Sequence, residues 1–344
     1  MEFSFSKACW YLQVVNVWSS GTEVFSRTNA KTETMRLILL LGLFLLISTW
    51  GLADEVKPAA DETAVTRQEV ETWREQAERG MAPAQYWLGK AYVYGWHVER
   101  DPETGFSLFQ KSAEAGFPRG MNALGYCFQL GLGTEQDHQA ALEWLQRATE
   151  AGDPEATNNL GNSYYLGWGV EVDEARALEL YRQAADAGSA KGMYNVAKCY
   201  RLGAGVEKDT AEALVWFEKA AAGDDLEALL FLGWEYTFGS KTGELKERGL
   251  KYYTRAADMG STEAMVSLGK AMVRSEKPGT ASRWFRKAAS LGNPDGQFYY
   301  GGALLYGEGV KQDRTAGIEW LEKAAAQGNQ NARELLNAEN VNQN

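Results

Sequence analysis

The chain reads as an all-α solenoid, and three observations lead to that fold class. One phrase recurs seven times at a near-constant spacing of 36 residues. Within each copy the apolar residues fall at helical intervals. Glycine is abundant at 36 residues while proline is scarce at 7, so glycine punctuates helices here rather than building a disordered linker. A single helix pair cannot bury its own apolar face, so stacked copies must share a continuous core.

The first 64 residues precede the repeat. Met35-Arg36 leads into Leu37–Ile47, apolar throughout apart from Gly42, and then to Gly51, Ala53 and the acidic pair Asp54-Glu55. A basic start, a short apolar stretch and a small-x-small exit have the layout of a secretory signal peptide over residues 35–53. The stretch falls short of the ~20 residues of a membrane-spanning helix, leaving an uncleaved anchor or a buried apolar helix as the alternatives. A signal belongs at an N-terminus, so the expectation is that translation starts at Met35 and that residues 1–34 are an unstructured gene-model extension. Residues 54–64 read as a linker. Export to the periplasm or outside the cell, in a bacterium, is the localisation this layout favours.

The repeat then occupies 65–337. The anchors Leu88, Leu124, Leu160, Val196, Leu232 and Leu268 are each 36 apart, and the next, Tyr300, follows after 32. Around Leu160 stand Ala156, Gly161, Tyr164, Gly167, Gly169-Val170 and Asp173, followed by Ala177, Tyr181, Ala184-Ala185 and Gly188. Ala156, Leu160 and Tyr164 mark one face of a first helix, and Ala177, Tyr181 and Ala184 mark a face of a second. The first loop glycine ends the first helix through a left-handed cap. The aspartate then caps the second helix through its carboxylate. Copy five departs from the pattern at Ser240-Lys241-Thr242-Gly243, and copy six lacks the glycine loop, so irregularity is expected near 239–280. Trp73, Ala77 and Gly80 read as a second half-repeat without its first half. Ala332 to Leu336 reads as a cap, with 338–344 as a flexible tail.

The pattern A-x-x-x-L-G-x-x-Y-x-x-G-x-G-V-x-x-D followed by K-A-A-x-x-G closely resembles the Sel-1-like repeat, a relative of the tetratricopeptide repeat. The resemblance spans about residues 65–337. It implies a right-handed α/α solenoid of about seven helix pairs, with a concave face formed by the first helices. It also implies a scaffold or adaptor role in protein complexes.

Composition and motifs argue against other classes. The formal net charge is -11. With residues 1–53 set aside, 31 Lys/Arg face 43 Asp/Glu, a field that repels a phosphate backbone, and no basic run offsets it. No nucleic-acid partner and no small-molecule cofactor are expected. His97 and His138 read as inter-helix loop residues, which leaves a metal site without ligands. No C-x-x-C, H-E-x-x-H or G-x-S-x-G occurs, and the Gly-x-Gly pairs lack the third glycine of a phosphate loop. Ser267–Lys270 and Lys241-Thr242-Gly243 echo motifs of penicillin-recognising enzymes, but in reversed order and without S-D-N. No catalytic residue can be named. Cys127 and Cys199 hold one repeat position two copies apart, roughly 20 Å at normal helix spacing, beyond disulfide reach. Both read as small buried residues. Trp144, Trp216, Trp284 and Trp320 read as core. Trp96 and Trp168 read either as rings folded over the next helix or as an exposed aromatic edge.

If the tetratricopeptide register carries over, positions two before and two after each anchor line the concave groove. The candidate partner-binding residues are then Tyr86, Lys90, Asn122, Tyr126, Asn158, Asn162, Tyr194, Lys198 and Trp234, joined three residues further on by Tyr165 and Arg201. Asparagine can pair with the backbone of an extended peptide, and aromatics supply large contact area at low entropic cost. Ordinary solvated or inter-repeat residues are the alternative. The function this points to is an exported, non-enzymatic scaffold binding a protein or peptide. A cell-envelope module binding glycan or peptidoglycan stands second. Copies two to four, with Asn158, Asn162, Tyr194 and Lys198, are the expected centre.

Overall fold

The computed structural model of the chain describes residues 65–239 and 242–341. The signal, extension and early linker readings lie outside the described residues. These residues fall into two compact units, 65–256 and 257–341.

In the first unit, α1 (Arg67–Glu78) precedes four regular pairs. These are α2 (Ala82–Tyr94) with α3 (Pro102–Glu114), α4 (Pro118–Leu130) with α5 (His138–Glu150), α6 (Pro154–Leu166) with α7 (Glu174–Asp186), and α8 (Ala190–Leu202) with α9 (Thr210–Ala222). The fifth pair is α10 (Leu226–Trp234), a π-helical turn (Glu235–Gly239) and α11 (Gly243–Asp258). The second unit holds α12 (Thr262–Arg274), α13 (Pro278–Ser290), α14 (Pro294–Tyr306), α15 (Arg314–Ala326) and α16 (Gln330–Val341). Among the described residues no strand occurs.

The chain's punctuation works largely as its chemistry requires. Gly95, Gly131, Gly167, Gly203 and Gly307 end first helices in the left-handed conformation. Asp101, Asp137, Asp173, Asp209 and Asp313 accept backbone N–H bonds at the starts of second helices, each cap typically worth ~1 kcal/mol. The second loop glycine has a further duty. A Cβ on Gly133 would stand 2.0 Å from the Pro102 carbonyl oxygen, so its absence lets each loop press onto the preceding copy's second helix.

Packing follows from small residues on the first helices. Gly161 meets the ring of Tyr181, and Gly125, Gly233 and Gly269 meet Leu145, Tyr253 and Phe285 in the same way. This corrects the reading of the tryptophans. Trp144, Trp216, Trp284 and Trp320 are half-buried, each ring covered by a cation one turn on: Arg147, Lys219, Lys287 and Lys323. In all four copies the core position is the next residue, Leu145, Phe217, Phe285 or Leu321, and Leu145, Phe285 and Leu321 each meet the glycine of the first helix.

The altered copies depart where expected. Copy five replaces the end of its first helix with the π-helical turn. Copy six joins α12 to α13 by residues 275–277 alone, with Glu276 at φ 56°. The C-terminal tail reading is corrected: α16 continues to Val341. The buried carboxylate of Glu339 pairs with Arg314 at 2.6 Å and accepts from Tyr306 at 3.2 Å, which ties the last turn down. His138 is likewise the first residue of α5 rather than a loop residue.

Candidate functional site

Within residues 65–256 the first helices α2, α4 and α6 each approach the next first helix directly, whereas no comparably close pair of second helices occurs among the described residues. The first helices therefore form the tighter, inner layer of the stack. Their outward-facing residues are the candidate site.

Two strips run across this layer, one helical turn apart. The first strip stands two residues before the anchors. Asn122 accepts a bond from Asn159 at 2.9 Å, and Asn158 accepts one from Asn195 at 2.7 Å. These asparagines link each first helix to the next. Asn158 is 2% exposed. Its assignment to a partner-contacting groove is overturned, because its carboxamide is buried and bound within the fold. Asn122 and Asn162 are half-buried, and Asn162 accepts the hydroxyl of buried Tyr181 at 2.8 Å. In the last regular copy the same strip holds Tyr194, whose ring packs on Phe217.

The second strip stands two, five and six residues after the anchors. Tyr126 and Trp234 are exposed there. Lys198 is half-buried, 5.6 Å from the Tyr194 ring and 6.0 Å from that of Tyr165. Burial holds its ammonium below the usual lysine range, and neighbouring Arg201 pushes the same way. Arg201 is exposed and lies over Phe231. Position six after the anchor was not singled out from sequence. It holds Leu130 and Leu202, both exposed, with Leu166 half-buried between them. The signal was present as an apolar residue before each cap glycine at intervals of 36, but it reads there merely as the end of a helix.

The first copy differs from its neighbours. Lys90 sits among four rings, 5.2 Å from Trp87, 5.4 Å from Trp96, 5.8 Å from Tyr86 and 5.9 Å from Tyr94. Trp87 stacks on Trp73, and Trp96 on Tyr94. Trp168 stacks on His138 at 5.8 Å. Trp96 and Trp168 are thus half-buried rings stacked on Tyr94 of the preceding helix and on His138 of the preceding copy, and neither is a bare edge.

No reactive constellation emerges among the described residues. No group of three His, Cys, Asp or Glu is placed to hold a metal ion. Cys127 and Cys199 are buried free thiols, pushed up by burial to about 12 and about 11, which keeps them protonated and unreactive. Ser267 and Lys270 lie within α12, where Lys270 faces the Tyr299 ring at 5.1 Å. No helix among the described residues is long and apolar enough to cross a membrane.

Helix pairs joined by glycine loops and stacked through shared cores define a helical-repeat protein. The Sel1 repeat model matches residues 82–117, 118–153, 154–189, 190–225, 226–261, 276–293 and 294–329, and the chain belongs to the Sel1 repeat family. Only the second half of copy six is matched, in keeping with its missing loop. A protective antigen of uropathogenic Escherichia coli strains is similar at 29% identity and a TM-score of 0.58, over 78% of this chain and 58% of that one. The chain thus spans under two thirds of the antigen's length. A Sel1 repeat protein from Oxalobacter formigenes matches at 28% identity and a TM-score of 0.57, over 83% and 82%. Yeast Tom70 shares the fold alone, at 13% identity and a TM-score of 0.51 over 80% of this chain and 58% of that one. No curated protein matches the chain.

Proposed function

We propose that this protein is an exported, non-enzymatic scaffold that binds a protein or peptide partner along the inner layer of residues 65–256. The observation that carries the reading is the exposed strip of Tyr126, Leu130, Leu202 and Trp234, which repeats with the helices. Contiguous exposed apolar surface is costly unless a partner covers it. The family supports an interaction role, and the buried thiols and lack of a metal cluster among the described residues supply no chemistry to set against it. Export rests on the signal-like segment at 35–53. A relative described as a protective antigen is in keeping with a protein displayed outside the cytoplasm.

Affinity capture from the exported fraction tests this reading, with wild type set against a Tyr126→Ser/Leu130→Ser/Leu202→Ser variant. A partner retained by the wild type and lost by the folded variant is the expected result. An identical captured set, or a cytoplasmic location of the mature chain, overturns it.

A further inference from the structure

The chain is acidic overall, yet its charges are segregated. In the first unit the five first helices, with the π-helical turn, carry five Lys/Arg against three Asp/Glu. The second helices α1, α3, α5, α7, α9 and α11 carry eleven against sixteen. The segregation sharpens on the strip two, five and six residues after the five anchors, which holds no carboxylate, with Val93, Gln129 and Thr237 at position five buried. These positions hold instead apolar and aromatic side chains, the uncharged Gln129, Asn162 and Thr237, and Lys90, Lys198 and Arg201. Of the three carboxylates of the first helices, Glu235 stands beside Trp234, three residues after its anchor, and the other two lie away from the strip. Glu155 and Glu227 stand five residues before their anchors, at the far ends of the helices, and Glu227 reaches Lys198 only as a favourable charge.

Spacing fixes the form of what would cover this strip. Leu130, Leu166 and Leu202 project from successive first helices, and neighbouring packed helices lie ~8–10 Å apart. A chain in the extended polyproline II conformation advances about 3.1 Å per residue with three residues per turn, so every third residue points the same way and meets the next leucine. Resting on the reading of this layer as a partner surface, we infer that its occupant is an extended acidic segment of a partner protein. That segment places an apolar side chain at every third position on the leucine ladder and carboxylates between them, facing Lys198 and Arg201. Lys198 is half-buried between Tyr165 and Tyr194, so an incoming carboxylate gains a partner that water screens less than a fully exposed one.

The test uses three short fluorescein-labelled peptides with Leu at every third position. They differ only in whether the intervening residues are Glu, Gln or Lys, and anisotropy is read against the full chain. The Glu peptide is expected to bind about tenfold or more tighter than the Gln peptide, a difference of ~1.4 kcal/mol, with the Lys peptide weakest. Lys198→Glu/Arg201→Glu should erase or reverse that order, and Leu130→Ser/Leu202→Ser should weaken every peptide. Helix content and melting of each variant are followed by circular dichroism, and an order read on an unfolded variant counts for nothing until repeated with Lys198→Gln/Arg201→Gln. Equal affinity for the three peptides, with loss in the leucine variant, sinks the acidic specificity and leaves the partner surface standing. Preference for the Lys peptide, or binding of none, also overturns the inference, and the affinity capture above then judges the surface separately.

Discussion

The two strips on the first helices of residues 65–256 lie a single turn apart and are put to opposite uses. Asn122 and Asn158 face neighbouring helices and are bound by Asn159 and Asn195. Tyr126, Leu130 and Leu202 face solvent. Helical periodicity alone puts both strips on one side of the helix. The difference lies in the neighbours: successive first helices touch across the asparagine strip, and beyond it the layer opens. On these two strips polar side chains link neighbouring helices and apolar ones face outward, while the apolar anchors between them build the core.

The largest effect that separates the strips is expected at the anchor between them. Leu124 is 1% exposed, and Leu124→Ala should cost about 2–5 kcal/mol in urea denaturation. Next comes Asn158→Ala, which buries a polar site without its carboxamide and strips Asn195 of its acceptor. A loss of about 1–3 kcal/mol is expected, and a change under about 0.5 kcal/mol would mean that the asparagine ladder is idle. On the open strip, Tyr126→Ser should stay within about 0.5 kcal/mol of wild type while weakening partner capture. A large loss of stability there would show that the two strips share one structural duty.

A pH experiment contrasts the caps in the same way. Asp209 caps a second helix at the surface, whereas Asp225 caps α10 while buried, accepting from Ala228 at 2.8 Å. Burial, followed by the charge of Glu227, raises Asp225 to about 7 from 3.8. Its folded-state pKa therefore lies above the unfolded one, the folded protein binds the extra proton, and stability falls as pH rises from about 4 to about 7. Asp225→Asn keeps the cap without the charge. It should flatten this part of the pH profile and stabilise the protein most above pH about 7. A profile unchanged by the substitution would show that Asp225 is not the titrating group.

Much of the fold was legible because the repeat over-determines it. The glycine caps, the aspartate caps, the shortened loop of copy six and the half-repeat at Trp73 all follow from spacing. What escaped was the direction of individual side chains within a face. A groove register carried over from a related repeat cannot tell that Asn158 finds Asn195, since that depends on how closely successive first helices approach. The tryptophans were misplaced by one residue because their bulk suggested burial, while the glycine opposite them selects the next position. Leu130 and Leu202 were hidden in plain sight, absorbed as the last residues of helices. The buried caps Asp153, Ser189 and Asp225 also went unnoticed, because they lie in the short turns between copies rather than in the glycine loops.

The most direct test of the account is site-specific photocrosslinking in the exported fraction. A benzophenone side chain is placed at Tyr126 or Leu202 on the inner layer, and at Trp144 or Trp216 on the second helices. Crosslinks to one common partner from the first two sites and not from the last two are the predicted result. Crosslinks confined to the second helices would contradict the assignment of the inner layer as the working surface.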